Sequence, residues 1–352
     1  MKLREEDIVM DQQAGRRVYQ AARGATLIGL FVALGFSFDR LSDARSVAQQ
    51  AQETQFAGDV IAFRQGIGAQ DSQTSAASNP QSNNVESLQL TSKVFKNTRT
   101  IRILIPPGYH DPKNAGKRYP VLYFNDGIAV FKSRTFHLEE RVYPLFLAHS
   151  VQPLIIVGVD NGASTDKSKN PDSDRANEFL PYPDVGFPGH LYAADPPDPQ
   201  GRLYPLFLIN EIMPLIRKHY RIKTGLSNTG IGGFSYGGVS ALYTAISRPG
   251  IFGKLLLEST PLWIGPDRQI LKDAQKAKKW PSYVYVGSGT KETAEDDVRR
   301  EGNQDQDTLL KIIRENSPKT RLKSVTEEGG VHDSSAWGRR LPVALKFLFS
   351  EK

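Results

Sequence analysis

The chain contains no cysteine. That excludes disulfides, thiolate–zinc sites and a cysteine nucleophile, and it is compatible with any redox compartment. Clustered basic charge is missing as well. The net charge is +7, but Lys and Arg are scattered among acids, without the basic and aromatic stripe of a nucleic-acid binder, so the excess reads as a solvated surface. No repeat is visible. Apolar runs long enough for a comfortable membrane span are absent too. The nearest is 24–38, which is shorter than such a span and about the length of a signal-peptide core. Histidine is scarce, with six in 352 residues, which makes any histidine-dependent chemistry easy to place.

What is present fits one large domain with appendages. Arg16, Arg17 and Arg23 precede the apolar run, and Ser46-Val47-Ala48 offers a small-x-small cleavage site downstream. Residues 1–39 are therefore expected to be an export signal or a membrane anchor, with 24–38 as the tether. Either places the remainder outside the cytoplasm, in the periplasm or the extracellular space. Residues 40–88 are rich in Gln, Ala, Ser and Asn and read as a flexible linker, since they cannot bury enough apolar surface to offset ordering entropy.

From residue 89 the texture becomes that of a folded domain. Apolar or alternating runs over 98–106, 119–125, 153–160, 229–233, 254–258, 282–288 and 321–325 predict strands. Helices are predicted over 134–150, 203–220, 239–246, 304–315 and 337–349. Buried strands alternating with helices predict a mostly parallel sheet covered on both faces. The long Pro-, Gly- and Asp-rich stretch 161–201 is expected to build a functional loop.

The centre of the pattern is Gly233-Phe234-Ser235-Tyr236-Gly237. A strand precedes this Gly-x-Ser-x-Gly and a helix follows it, the context of a nucleophile elbow. A dinucleotide-binding reading fits less well, because a Gly-x-Gly-x-x-Gly frame begun at Gly230 ends on Ser235. A serine nucleophile needs a base oriented by an acid, in the chain order Ser, Asp or Glu, His. Of the six histidines only His332 lies beyond Ser235, and it sits between the last predicted strand and the last helix. His110, His137, His149, His190 and His219 lie upstream; His137 or His190 is a candidate pocket residue, and His219 is expected near a helix C-terminus. Glu292, just past the strand 282–288, is the preferred acid, with Glu258, Glu295, Asp296 and Asp297 as alternatives. The oxyanion hole is expected from the N–H of Tyr236 and from that of Gly127 or Ile128 after the strand 119–125. Trp263 and Trp337 are candidates to wall a substrate pocket. This chemistry calls for no metal and no organic cofactor.

Segments spread over the whole predicted domain resemble the putative-esterase family of α/β-hydrolases. They are 102–109, 119–127, 157–162, Arg175 with Glu178-Phe179, the elbow, 289–292, and 330–333 with Trp337. That family includes S-formylglutathione hydrolase, enterochelin-type siderophore esterases, feruloyl and acetylxylan esterases, and mycolyltransferases. The resemblance implies an α/β-hydrolase fold and a triad of Ser235, Glu292 and His332. It also implies that Arg175 and Glu178 brace the long loop beside the substrate. The similarity to S-formylglutathione hydrolase is not close enough to assign that substrate. The expectation is an exported serine esterase acting on a small-molecule or sugar-linked ester. Two alternatives are an acyltransferase with an alcohol or sugar acceptor, and a non-catalytic exported binding protein of the same fold.

Overall fold

Apolar runs over 98–331 form strands, fully buried in the middle of the sheet and alternating in exposure at one edge. The computed structural model describes residues 84–162, 171–186 and 196–351, all within one compact unit spanning 66–352. The expected export segment 1–39, nearly all of the expected linker, and His190 lie outside the described residues.

Eight strands form one sheet: β1 (Val85–Thr91), β2 (Thr98–Leu104), β3 (Val121–Asn125), β4 (Ile155–Val159), β5 (Thr229–Phe234), β6 (Lys254–Glu258), β7 (Tyr283–Lys291) and β8 (Arg321–Val331). Their order is β1-β2-β4-β3-β5-β6-β7-β8. The pairs β1–β2 and β2–β4 are antiparallel, and every pair from β4 to β8 is parallel. β3, β4, β5 and β6 are buried along their whole length, as expected of parallel strands covered on both sides.

The helices are α1 (Gly127–Lys132), α2 (Leu138–Leu147), α3 (Pro171–Phe179), α4 (204–219), α5 (Tyr236–Ser247), α6 (Gln269–Lys276), α7 (Asp296–Asn316) and α8 (Ser334–Phe349). α4 is interrupted by one π-helical segment, Leu208–Ile212. One face of the sheet, with Ile101, Tyr123, Val157, Ile231, Leu255 and Val284, packs on α3 to α7. The other, with Leu122, Phe124, Ile156, Phe234, Leu256 and Tyr285, packs on α1, α2 and α8.

Several sequence boundaries move. β1 lies partly inside the stretch read as linker. It pairs with β2 along its whole length, from Val85↔Leu104 to Thr91↔Thr98, so the folded domain starts before residue 89. The helix expected over 134–150 shrinks to α2, because the chain enters it through His137 in a left-handed conformation (φ 52°). β7 and β8 run beyond their expected ends, with consequences for the site. α1, α3 and α6 were not anticipated.

Candidate active site

The parallel strands β3, β5, β6, β7 and β8 end along one edge of the sheet, where open α/β sheets place their sites. Ser235 follows β5 and caps α5 with φ 51° and ψ −131°, a backbone region costly for a non-glycine residue and met at functional turns. Its N–H bonds the Glu258 carbonyl (2.9 Å), and its own carbonyl accepts from Gly238 and Val239 N–H. The two glycines of the motif answer to different neighbours. A Cβ on Gly233 would collide with the Gly237 backbone, whereas one on Gly237 would lie 2.6 Å from Asp126 Oδ2 and 3.2 Å from Asn125 Cβ.

The second half of the site comes from the extension of β7 and β8. Their parallel register passes through Gly289↔Glu327 and, after a bulge at Gly289, reaches Lys291↔Val331. The next residues on the two strands are Glu292 and His332, which that pairing sets side by side. His332 Nδ1 bonds Glu292 Oε2 at 2.7 Å. The other carboxylate oxygen, Oε1, accepts from Ser259 Oγ (2.6 Å) and from Gly289 N–H (2.5 Å). Burial pushes the Glu292 carboxyl up, but the hydrogen bond and charge of His332, with the Ser259 and Gly289 donors, outweigh it and hold the group below its ordinary value. The His332 ring meets Trp337 edge-on (centroids 5.1 Å, 87°), and Trp337 stacks on Phe234 (4.1 Å, 15°), the residue before Ser235. That aromatic stack links the histidine to the elbow. Among the described contacts no hydrogen bond joins Ser235 Oγ to the His332 ring.

Gly127, Ile128 and Tyr236 are first-turn residues of α1 and α5, where N–H groups have no intrahelical carbonyl partner. The two turns are tied together. Asn125 is fully buried; its Nδ2 donates to the Gly237 carbonyl (2.8 Å) and its Oδ1 accepts from Tyr204 Oη (2.6 Å). Arg175 grips both oxygens of Asp126 (2.6 and 2.8 Å) and lies over the Tyr236 ring, 5.5 Å from its centroid.

The remaining expected residues divide by accessibility. Glu178 is 3% exposed, ion-paired with Arg99 and bonded to Gly162 N–H (2.8 Å). Trp337 is 2% exposed, with its Nε1 on Ser259 Oγ (2.9 Å). Both side chains are buried: Glu178 ties Gly162, at the start of the long loop, to Arg99, and Trp337 supports Ser259 and the His332 ring. Trp263 is half-buried and donates to Asp184 Oδ1 (3.1 Å), while Tyr236 Oη bonds Asp184 Oδ2 (2.7 Å). Of the alternative acids, Glu258 is buried against Arg340 (2.8 Å). Glu295 caps α7, and Asp296 and Asp297 occupy its first turn. His110, His137 and His149 pair with Glu86, Glu140 and Glu351 at the surface, and His219 sits in the last turn of α4.

Residues 92–348 match the family described as Putative esterase. The chain belongs to the putative esterase family. It is 21% identical over 270 residues to the uncharacterised protein YbbA of Bacillus subtilis, covering 72% of this chain and 93% of that one. Among solved structures it resembles the siderophore hydrolase EstA of Aspergillus nidulans, with a TM-score of 0.60 and 19% identity, over 79% of this chain and 98% of that one. It also resembles an IroE-like serine hydrolase of Shewanella oneidensis, with a TM-score of 0.58 and 22% identity, over 75% and 80% of the two chains. The fold is that of the α/β-hydrolase esterases, and membership of the family makes the chain an ester hydrolase in general terms.

Within the site, Ser259, Arg340, Asn125, Asp126 and Asp184 were not singled out as functional from sequence. They come from four separate stretches, and no local motif marks them.

Proposed function

We propose that the protein is a serine carboxylic ester hydrolase working through Ser235, His332 and Glu292. The observation that carries this reading is the 2.7 Å bond from His332 Nδ1 to Glu292 Oε2, with Ser235 on a strained strand-to-helix turn nearby. With its Nδ1–H donated to the Glu292 carboxylate, the imidazole presents an unprotonated Nε2, which takes the Ser235 proton as Oγ attacks the ester carbonyl. The backbone N–H of Tyr236, with that of Gly127 or Ile128, stabilises the oxyanion. The imidazolium, paired with Glu292, returns its proton to the leaving alcohol. Water activated by His332 then releases the acid from the acyl-enzyme. The substrate is a small-molecule or sugar-linked ester met outside the cytoplasm, on account of the apolar run 24–38. No helix among the described residues is long and apolar enough to cross a membrane.

The test is turnover of short p-nitrophenyl esters by the full-length protein. Ser235→Ala and His332→Ala are each expected to lower kcat by about a thousandfold or more, and Glu292→Ala by less. Full turnover by Ser235→Ala would end the proposal.

A further inference from the structure

Ser259 lies outside the triad and follows β6, directly after the residue whose carbonyl holds Ser235 N–H. It is buried at 8% exposure and holds φ 44°. No glycine occupies this left-handed position, so the serine side chain is present despite a conformational cost. What it does is set by proton counting. A hydroxyl has one proton to donate and two lone pairs that accept. Both neighbours that donate to Ser259 Oγ can only donate: Trp337 Nε1 at 2.9 Å and Arg340 Nη2 at 3.1 Å. With both acceptor sites filled, the one proton must point at the remaining partner, Glu292 Oε1, at 2.6 Å.

Arg340 is itself immobilised. It is 3% exposed, with Nε on Glu258 Oε2 (2.8 Å) and Nη1 on Glu327 Oε2 (2.8 Å). Its Nη2 stands 3.8 Å from Glu292 Oε1, nearer to Ser259 than to the carboxylate. The ends of β6, β7 and β8 are thus tied through one guanidinium, and its contact with the acid passes through a hydroxyl of determined direction.

We infer that Ser259 is a positioning residue: its hydroxyl, aimed by Trp337 and Arg340, joins the Gly289 N–H on Oε1 and so fixes the rotamer of Glu292, which leaves Oε2 for His332. The inference rests on the triad reading only for its catalytic consequence. The orientation of Glu292 is a separate, structural claim. Because Trp337 also lies under the His332 ring, one side chain aims the acid and supports the base.

The test uses full-length Ser259→Gly and Ser259→Ala. Glycine adopts the left-handed backbone without strain, so the first variant removes the hydroxyl while sparing the fold. The second removes it without adding backbone freedom. Crystal structures report whether the Glu292–His332 bond survives, and steady-state kinetics report kcat and KM separately. In both variants Glu292 is expected to leave the His332 bond or split between rotamers. The expected kcat falls roughly ten- to a hundredfold, the loss of one charge-assisted hydrogen bond, with KM unchanged. An intact 2.7 Å bond in either variant overturns the inference, whatever the kinetics. A displaced Glu292 in a protein whose turnover does not need Ser235 leaves the positioning standing and removes the esterase mechanism instead.

Discussion

At the scale of single residues, the site depends on close approaches that tolerate almost no added atoms. Gly237 lets the elbow lie against the turn after β3, where a Cβ would come 2.6 Å from Asp126 Oδ2. Gly237→Ala is therefore expected to force apart the two turns that carry the expected oxyanion donors. A denaturant melt should show a loss of about 1–3 kcal/mol, while p-nitrophenyl ester kcat falls by more than that loss of stability explains. Equal kcat in mutant and parent would show that the separation of the turns is not critical. Asp184 acts through two aromatic side chains. Removing its carboxylate in Asp184→Ala leaves Tyr236 Oη and Trp263 Nε1 without the acceptor they share. The expected result is a raised KM that varies with acyl-chain size, read from a series of esters; an unchanged KM across the series would detach these rings from substrate binding.

At the scale of elements, β1 is the edge that protects the sheet. Its burial alternates between exposed and half-buried positions, and it covers the hydrogen-bonding edge of β2. Glu86 on β1 also accepts from Tyr220 Oη (2.7 Å). A chain beginning at Ser92 would expose the unpaired N–H and C=O groups of β2, a template for intermolecular pairing. Size-exclusion chromatography is expected to show oligomers or aggregates where the full chain does not. A monomeric truncated protein with an unchanged Tm would assign β1 no such role. The strand evaded the sequence reading because its few apolar residues follow a long polar stretch of similar composition. α7 shows the same effect inside the domain. Its buried apolar residues, Leu309, Leu310, Ile312 and Ile313, lie only in its second half, so periodicity revealed that half alone. Its beginning is set by Asp296 and Asp297, acids favoured in a first helical turn. α3 carries few apolar residues in its sequence; Ala176 and Phe179 pack into the core, and Glu178 beside them forms a buried pair with Arg99.

At the scale of the whole molecule, buried charge makes stability depend on pH. Arg340 is one cation serving Glu258, Glu327 and, at longer range, Glu292, and their charges hold it protonated. Among the described residues Glu327 also pairs with Arg339 and Glu292 with His332, whereas Glu258 has Arg340 alone and is left the least compensated. Burial chiefly, with the Glu292 charge, pushes its carboxyl from 4.5 to about 7. The folded state therefore holds a proton that the unfolded chain has released. Stability from this group is complete below about pH 4.5 and is lost as pH rises towards 7, by about 3 kcal/mol in all. Glu292 runs the other way: its carboxyl is lowered, so its contribution is present above 4.5 and lost as pH falls through its folded value. Glu258→Gln is expected to flatten the decline between pH 4.5 and 7 in urea-unfolding free energies, leaving the acid limb in place. Parallel curves for the two proteins would show that Glu258 ionises normally.

The layered α/β architecture, the elbow at Ser235 and the candidate base His332 can be read from residue order alone. Buried strands leave contiguous apolar runs, a tight turn demands glycine, and only one histidine lies in the required order. The same order also led to Glu292, as the first acid past a strand. The tertiary structure decided which partners those residues meet. Glu292 and His332 are neighbours because β7 and β8 stay paired past a bulge as far as Lys291↔Val331, a register made by hydrogen bonds between residues forty apart. Ser259, Arg340, Asn125 and Asp184 came to the site in the same way. Each is an ordinary residue in its own segment, and only packing at the sheet edge aims its polar atom at the site. Glu178 and Trp337 were singled out from sequence, but that they lie buried, one on Arg99 and the other on Ser259, was decided by the assembled core.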